Sequence, residues 1–275
     1  MKKKMLSLAL AIGLSTTAIV GGTMAYFTDT DDQTNTFTVG NVAIDLWEDF
    51  GDNGSEDGEK GLEELIPATG SAQNGTLQNG IDKEVYVTNT GSEDAYIRVH
   101  IAIPTILDNG DPDFDAGKNI LHFNYAKDGS TGEGLWDWSK TTGAPYDSDW
   151  NYYETTITDG EKEIPYNVYV VTYETALQAD QTTVDAIHQV YLDSKVTNED
   201  ITRIKTGDAD TVGLGDDWKI YVVAEGAQAA GFDNAYEALN TAFGDPTDRD
   251  YTSLIDWTAV AGEDFKEGRS VTESN

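Results

Sequence analysis

VYVTN at residues 85–89 and AYIRVHIAI at residues 95–103 are the two stretches that decide the fold. Both are rich in β-branched and aromatic residues, which favour strands. In the second stretch an isoleucine and valine face alternates with a more polar face, the period of a half-buried strand. Gly91 between them is a turn signal and Pro104 ends the second strand. We therefore predict that the two stretches form an antiparallel pair.

Further strand patterns recur on both sides of this pair, at residues 36–47, 120–125, 152–157, 167–173, 188–192 and 218–224. One helix is predicted over residues 232–243, where Asp233 is the N-cap and Gly244 ends the helix. Residues 105–165, which are rich in Gly, Asp and aromatic side chains, are predicted to be an elaborated loop insertion. Many short strands, one late helix and no βαβ rhythm indicate an all-β, jelly-roll-type β-sandwich.

The amino terminus has the pattern of a secretory signal peptide. Three lysines precede an uncharged run over residues 5–27, and the small residues Thr23 and Ala25 stand at the −3 and −1 positions of a cleavage site. Cleavage would leave Tyr26 as the first residue of the mature chain. We predict a signal peptide at residues 1–25 and a single secreted domain at residues 26–275.

An uncleaved membrane anchor is the alternative, because the uncharged run reaches the roughly 17–25 residues that span a bilayer. Two glycines, the small-residue cleavage site and the aspartates that follow immediately argue against an anchor. No second apolar run of this length occurs in the sequence. We therefore expect no membrane attachment after cleavage and a location outside the cell or at its surface.

The charge of the chain is strongly negative, with 17 Lys+Arg against 50 Asp+Glu. Loss of residues 1–25 would remove three lysines and no acid, so the mature chain would carry a formal charge of −36. Such a surface repels nucleic acid and anionic lipid, which excludes both as ligands. The sequence contains no cysteine, so a thiol nucleophile and a thiolate metal site are excluded too.

Four segments carry a resemblance to a known family: GGTMAYFTD at 21–29, NTFTVG at 35–40, VTNTGSEDAYIR at 87–98 and AQAAGF at 227–232. They resemble the TasA and camelysin-like secreted proteins of biofilm-forming Gram-positive bacteria. The resemblance implies processing by a dedicated signal peptidase, a jelly-roll subunit and self-association into matrix fibres. It also implies that the segment freed by signal cleavage inserts as a strand into the next subunit.

Mapped onto this chain, the donor segment would be residues 26–38. The apolar anchors that it and its flank could supply are Tyr26, Phe27, Phe37 and Val39. Strand addition of this kind satisfies an open sheet edge while alternate side chains fill pockets. The alternative is that residues 37–47 form the first strand of their own sandwich and residues 26–35 a frayed tail.

Camelysin-like proteins have been classed as metallopeptidases, so an enzyme must be considered. The sequence has no H-E-x-x-H motif, and His100, His122 and His188 are isolated from one another. Convergence of the three in space stays open, although a half-exposed strand position also accounts for His100. We predict no catalytic residues and no enzymatic activity.

Calcium is the cofactor that the sequence favours, if it has one. Asp111, Asp113 and Asp115 alternate in an acidic loop and offer oxygen ligands at a spacing that calcium loops use. The loop departs from an EF-hand, because its glycine is one place late and His122 stands where the final glutamate belongs. A solvated turn is the alternative interpretation.

An aromatic cluster in the predicted insertion suggests a surface for stacking on sugars or on a partner, formed by Trp136, Trp138, Tyr146 and Trp150. Packing of these rings in a core is the alternative. The leading functional prediction is a secreted structural subunit of a biofilm matrix or surface fibre. A secreted carbohydrate- or protein-binding module is the second candidate, and a camelysin-like metallopeptidase is the third.

Overall fold

The computed structural model of the protein describes residues 41–49, 65–70, 76–108, 120–124, 135–137, 152–209, 211–216, 218–248 and 250–262. Nine strands occur in these ranges: β1 (Ile44–Asp49), β2 (Ile81–Asn89), β3 (Ala95–Pro104), β4 (Leu121–Asn124), β5 (Trp136–Asp137), β6 (Tyr152–Asp159), β7 (Lys162–Tyr173), β8 (Ile187–Leu192) and β9 (Tyr221–Gln228). Three helices accompany them: α1 (Asn198–Thr206), α2 (Ala235–Phe243) and α3 (Trp257–Ala261). None of these helices has the length and apolar character needed to cross a membrane.

The strands form two antiparallel sheets. Sheet 1 has the order β1-β2-β8-β4. In sheet 2, β7 has β3 on one side and both β5 and β6 along the other, and β9 lies beyond β3. Apolar side chains of both sheets share one buried cluster. The predicted all-β sandwich is therefore confirmed.

The predicted pairing of residues 85–89 with residues 95–103 is wrong. β2 pairs with β1 and β8 in sheet 1, whereas β3 pairs with β7 and β9 in sheet 2. The connection between them crosses from one sheet to the other, and the Asn89 side chain holds it by donating to the carbonyls of Glu93 and Leu177. A Cβ on Gly91 would lie 2.4 Å from the Asn41 carbonyl oxygen, so the turn is packed against the chain that enters β1.

β3 is buried on both of its faces. Its apolar face, which includes Ile97 and Ile101, packs in the core between the sheets. The opposite face carries Arg98 and His100, which are also buried, because α2 and the chain around it cover this face. The expectation of a half-exposed position for His100 is therefore wrong.

The helices are fixed by caps that the sequence contains. α2 lies within the predicted helix, but its N-cap is Asn234, whose Oδ1 accepts from the Glu237 amide at 3.0 Å. α1 was not expected from the sequence. Its capping box joins Thr197 and Asp200, whereas only Ile204 of its side chains is buried, so an apolar stripe gives little signal.

The described parts of residues 105–165 contribute to both sheets. β4 pairs with β8 in sheet 1, and β5 pairs with β7 in sheet 2. β6 and β7 form a hairpin whose turn contains Gly160 at φ +64°. Residues 125–134 and 138–151, which connect β4, β5 and β6, lie outside the described residues.

Candidate functional site

β9 forms an open edge of sheet 2. It pairs with β3 along its whole length, from Tyr221 opposite Ala102 to Gln228 opposite Ala95. No second strand pairs with β9 within the part of the chain that the structure describes. The outer side of this strand is therefore a candidate binding surface.

The register identifies which backbone groups of β9 point outward. The N–H and C=O of Ala95 both bond to Leu177, at 3.0 and 2.7 Å, on the side of β3 away from β9. The Ala229 amide donates to the carbonyl of Asp94, so the residue before Ala95 points towards β9, in agreement with this alternation. Because successive residues of an antiparallel ladder face opposite sides, the residues of β9 whose N–H and C=O point away from β3 are Val222, Ala224, Gly226 and Gln228.

β9 also lacks the features that usually protect a sheet edge. Natural edge strands are short, or carry charged side chains or proline. β4 and β5 are short, and the outer strands β1 and β6 carry acidic side chains. β9 reads YVVAEGAQ, and its one charged side chain, Glu225, is buried.

Glu225 belongs to a buried charge cluster that joins β3, β9 and α2. Its Oε2 accepts from Arg98 Nε at 2.8 Å and Nη2 at 2.5 Å, and lies 2.9 Å from His100 Nε2. Arg98 Nη1 also donates to Asn240 Oδ1 and to the Gly244 carbonyl at the end of α2. The charge of Glu225 is therefore neutralised inside the subunit and does not protect β9 from pairing with another strand.

The electrostatics of this cluster follow from burial and from charge. Burial lowers the pKa of His100, so this side chain is neutral at neutral pH. Burial opposes ionisation of Glu225, but the hydrogen bonds from His100 and Arg98 and the charge of Arg98 outweigh it and lower the Glu225 pKa. On the far side of the ring, Tyr153 Oη lies 3.3 Å from His100 Nδ1, and burial raises the Tyr153 pKa. The cluster therefore ties β3 to β9 and to the end of α2.

The start of β1 packs directly on β9. A Cβ on Gly226 would lie 2.9 Å from Ile44 Cγ2, so the two strands approach as closely as a glycine allows. The first residue of β1 therefore lies against β9, the open edge of sheet 2.

The three histidines do not form one site. His100 pairs with Glu225, His122 Nε2 lies 3.0 Å from Asp193, and His188 Nδ1 lies near Asp185 and Glu84. Burial lowers the pKa of His122 as well. Within the described ranges, Glu84, Asp185 and His188 form a group with the arrangement of metal ligands. His100 and His122 do not belong to this group.

Trp136 is the one residue of the predicted aromatic surface that the structure describes. It is 2% exposed. Its Nε1 donates to the Val184 carbonyl at 2.9 Å, and its ring packs edge-on against Tyr173. This ring is therefore part of the core and unavailable for stacking on a ligand. Outside the described residues lie Trp138, Tyr146, Trp150, the calcium candidates Asp111, Asp113 and Asp115, the cleavage site at Ala25 and Tyr26, and the anchors Phe27, Phe37 and Val39.

Comparison with known families gives one match, to the N-terminal region. The model of the family described as camelysin metallo-endopeptidase, to which TasA belongs, matches residues 1–49. No curated protein matches the sequence. The TasA and camelysin family is extracellular or surface-associated. Residues 1–49 of the chain are therefore camelysin/TasA-like, as the resemblance of residues 21–29 and 35–40 predicted.

Proposed function

We propose that the chain is a secreted structural subunit of an extracellular matrix or surface fibre. In this proposal, residues 26–38 of one subunit add as a strand to the outer edge of β9 in the next. The observation that supports it most is the unprotected edge of β9, which lies beside the point where the N-terminal segment enters β1. The camelysin/TasA-like N-terminus supports secretion and a matrix role.

The chemistry of the two surfaces is complementary. The outer edge of β9 offers N–H and C=O groups at four alternate residues, and an added strand would satisfy them. The sequence TFTV at residues 36–39 alternates threonine with apolar side chains. Strand addition would place Phe37 and Val39 on one face of sheet 2, where they continue its apolar surface, and the threonines on the other.

The high negative charge sets a condition for assembly. Subunits that each carry a formal charge of −36 repel one another at low ionic strength. Salt or a divalent cation should therefore promote polymerisation. Calcium binding at Asp111, Asp113 and Asp115 would add a specific contribution, which an Asp113→Asn variant removes.

The experiment uses the mature chain, beginning at Tyr26, in electron microscopy and sedimentation with and without salt and calcium. A double variant, Phe37→Asp with Val39→Asp, tests the apolar anchors. Thr36→Asp with Thr38→Asp is the matched control, since it adds the same charge to the other face of the segment. We expect fibres from the mature chain, fewer or none from the anchor variant and a smaller effect of the control.

Two results would overturn the proposal. One is a mature chain that stays monomeric in every condition while a chain lacking residues 26–38 behaves identically. The other is concentration-independent protection of the outward β9 amides from hydrogen exchange, which means that each N-terminal segment covers its own β9. Mass spectrometry of extracellular material tests secretion separately, because an intact leader would contradict cleavage before Tyr26.

A metallopeptidase, the third candidate from the sequence, is the alternative function that the description of the matched family favours. Incubation of the purified chain with an unfolded protein substrate, with and without a zinc chelator, tests it directly. We expect no cleavage. Chelator-sensitive cleavage that is lost on substitution of a histidine would replace the structural proposal with an enzymatic one.

A further inference from the structure

We propose that Glu84 and His188 of sheet 1, with Asp185 just before β8, bind a divalent transition-metal ion of the zinc class. The three side chains each offer a ligand atom, and these atoms lie within 4.8 Å of one another. The inference does not depend on fibre formation, because the cluster lies in sheet 1 and the β9 edge in sheet 2.

An irregular register between β2 and β8 creates the cluster. Asp82 lies opposite Gln189 and Val85 opposite Ile187, so two residues of β2, Lys83 and Glu84, share the single position opposite His188. A bulge of this kind turns a side chain from its regular direction, and such bulges are frequent next to functional sites. Here it brings the Glu84 carboxylate to the His188 ring.

The distances between the three side chains are those expected of ligands on one metal ion. His188 Nδ1 lies 3.3 Å from Asp185 Oδ2 and 3.5 Å from Glu84 Oε1. The contact to Asp185 is within hydrogen-bond distance and the contact to Glu84 is longer, so His188 Nδ1 faces both carboxylates. Two ligands on a tetrahedral ion with bonds of about 2.1 Å are separated by about 3.4 Å, which is the separation observed here.

The donor set selects the class of ion. One imidazole nitrogen with two carboxylate oxygens suits zinc and its neighbours, whereas calcium and magnesium prefer oxygen ligands alone. The two carboxylates balance the charge of a divalent ion. The His188 side chain is 4% exposed, while Glu84 and Asp185 are 32% and 34% exposed. An ion held there would sit on a buried nitrogen and keep a side open to water.

The surroundings of the cluster are compatible with a cation. Lys83, the neighbouring positive charge on the same strand, lies 2.6 Å from the Glu48 carboxylate. Gln189 donates to Asp82 at 2.7 Å on the other side of the bulge. His188 Nε2 is buried without a hydrogen-bond partner in the described residues, so the polar contacts of this ring are those of Nδ1 with Asp185 and Glu84. A metal at Nδ1 would fix the Nε2–H form.

The test is calorimetric titration of the mature chain with zinc chloride at neutral pH, together with X-ray absorption of the zinc-loaded protein. The variant is Glu84→Gln with Asp185→Asn, which preserves shape and leaves the buried histidine in place. The control is Glu154→Gln with Glu163→Gln on the β6–β7 hairpin, which removes the same charge from sheet 2. Circular dichroism verifies that both variants fold.

We expect one zinc ion per chain, with one imidazole and two carboxylates in its first shell. The variant should lose at least about a hundredfold in affinity while the control retains it, because loss of a direct ligand exceeds the effect of an outer partner. Equal affinity in the variant and the unmodified chain would overturn the proposal. So would an equal loss in the control, or binding of calcium in preference to zinc at this cluster.

Discussion

The guanidinium of Arg98 and the carboxylate of Glu225 form a two-bond ion pair beneath α2, with side chains that are 1% and 7% exposed. The pair joins the two strands at the open side of sheet 2. Because both charges are removed from water, each depends on the other for its stability in the folded chain. Glu225 therefore links β9 to β3 on the face of sheet 2 that α2 covers.

Glu225→Gln should destabilise the fold strongly. The substitution leaves the buried Arg98 charge without a counter-ion, which costs about 3–5 kcal/mol in comparable buried pairs. The measurement is the free energy of unfolding in urea, followed by circular dichroism. A change below about 1 kcal/mol would show that water compensates Arg98 and that the cluster is less enclosed than its geometry indicates.

Asp216→Asn provides the control for an ion pair at the surface. Lys205 and Asp216 are 2.9 Å apart, with side chains that are 44% and 85% exposed. Solvent screens this pair, so its removal should leave the free energy of unfolding nearly unchanged. A loss as large as that of Glu225→Gln would mean that total charge, and not burial, determines the effect.

Stability should fall as the pH falls below about 6.5, because His100 and His122 resist protonation in the folded chain. Burial lowers both pKa values, so in this range the unfolded chain binds protons that the native chain does not. Above the unfolded pKa both states are neutral and the full stability is present. Below the folded pKa the loss from these two groups is complete.

Urea unfolding at pH 7.5, 6.5 and 5.5 measures this effect. Substitution His122→Gln should reduce the dependence of stability on pH, by at most about 1.4 kcal/mol per pH unit for one proton. Ordinary carboxylic acids stay largely ionised down to pH 5.5, so the difference between the two proteins reports the histidine. A steeper dependence in the variant, or stability that rises on acidification, would contradict the direction of the pKa shift.

The sequence predicts the class of fold because alternation is a local property. Residues 95–103 alternate, and the structure places Ile97 and Ile101 in the core on one face of β3. Burial of the opposite face could not be predicted in the same way. The partner of Arg98 is Glu225, which lies 127 residues further along the chain, and the cover is a helix from the same distant region.

Two further features could not be predicted from the sequence: which sheet each strand joins, and the cluster of Glu84, Asp185 and His188. Gly91 marks a turn, but a turn that closes a hairpin and one that crosses between sheets have the same local signal. The D-x-x-H spacing of Asp185 and His188 is visible in the sequence, whereas Glu84 joins them only through the irregular register of β2. Neither feature has a signature within a single stretch of chain.

Two adjacent proline substitutions in β9 test the acceptor edge. The Ala224 amide points away from β3, so Ala224→Pro should fold, remove an outward donor and block an added strand. The Val223 amide faces His100 in β3, so Val223→Pro should lose a ladder bond and about 1–3 kcal/mol of stability. Sedimentation and electron microscopy measure assembly. Fibres of normal yield from folded Ala224→Pro would show that the next subunit does not use this edge.

The contact between Gly226 and Ile44 gives the last prediction, since it sets the distance between β1 and β9. Gly226→Ala places a methyl group 2.9 Å from Ile44 Cγ2 and should cost about 1–3 kcal/mol through overpacking. Ile44→Ala removes the atoms that the methyl group meets, so the double variant should be less destabilised than the sum of the single changes. The coupling energy comes from urea unfolding of all four proteins in a double-mutant cycle. Additive effects would mean that β1 moves away from β9 without resistance, and that this contact does not fix the distance between the two strands.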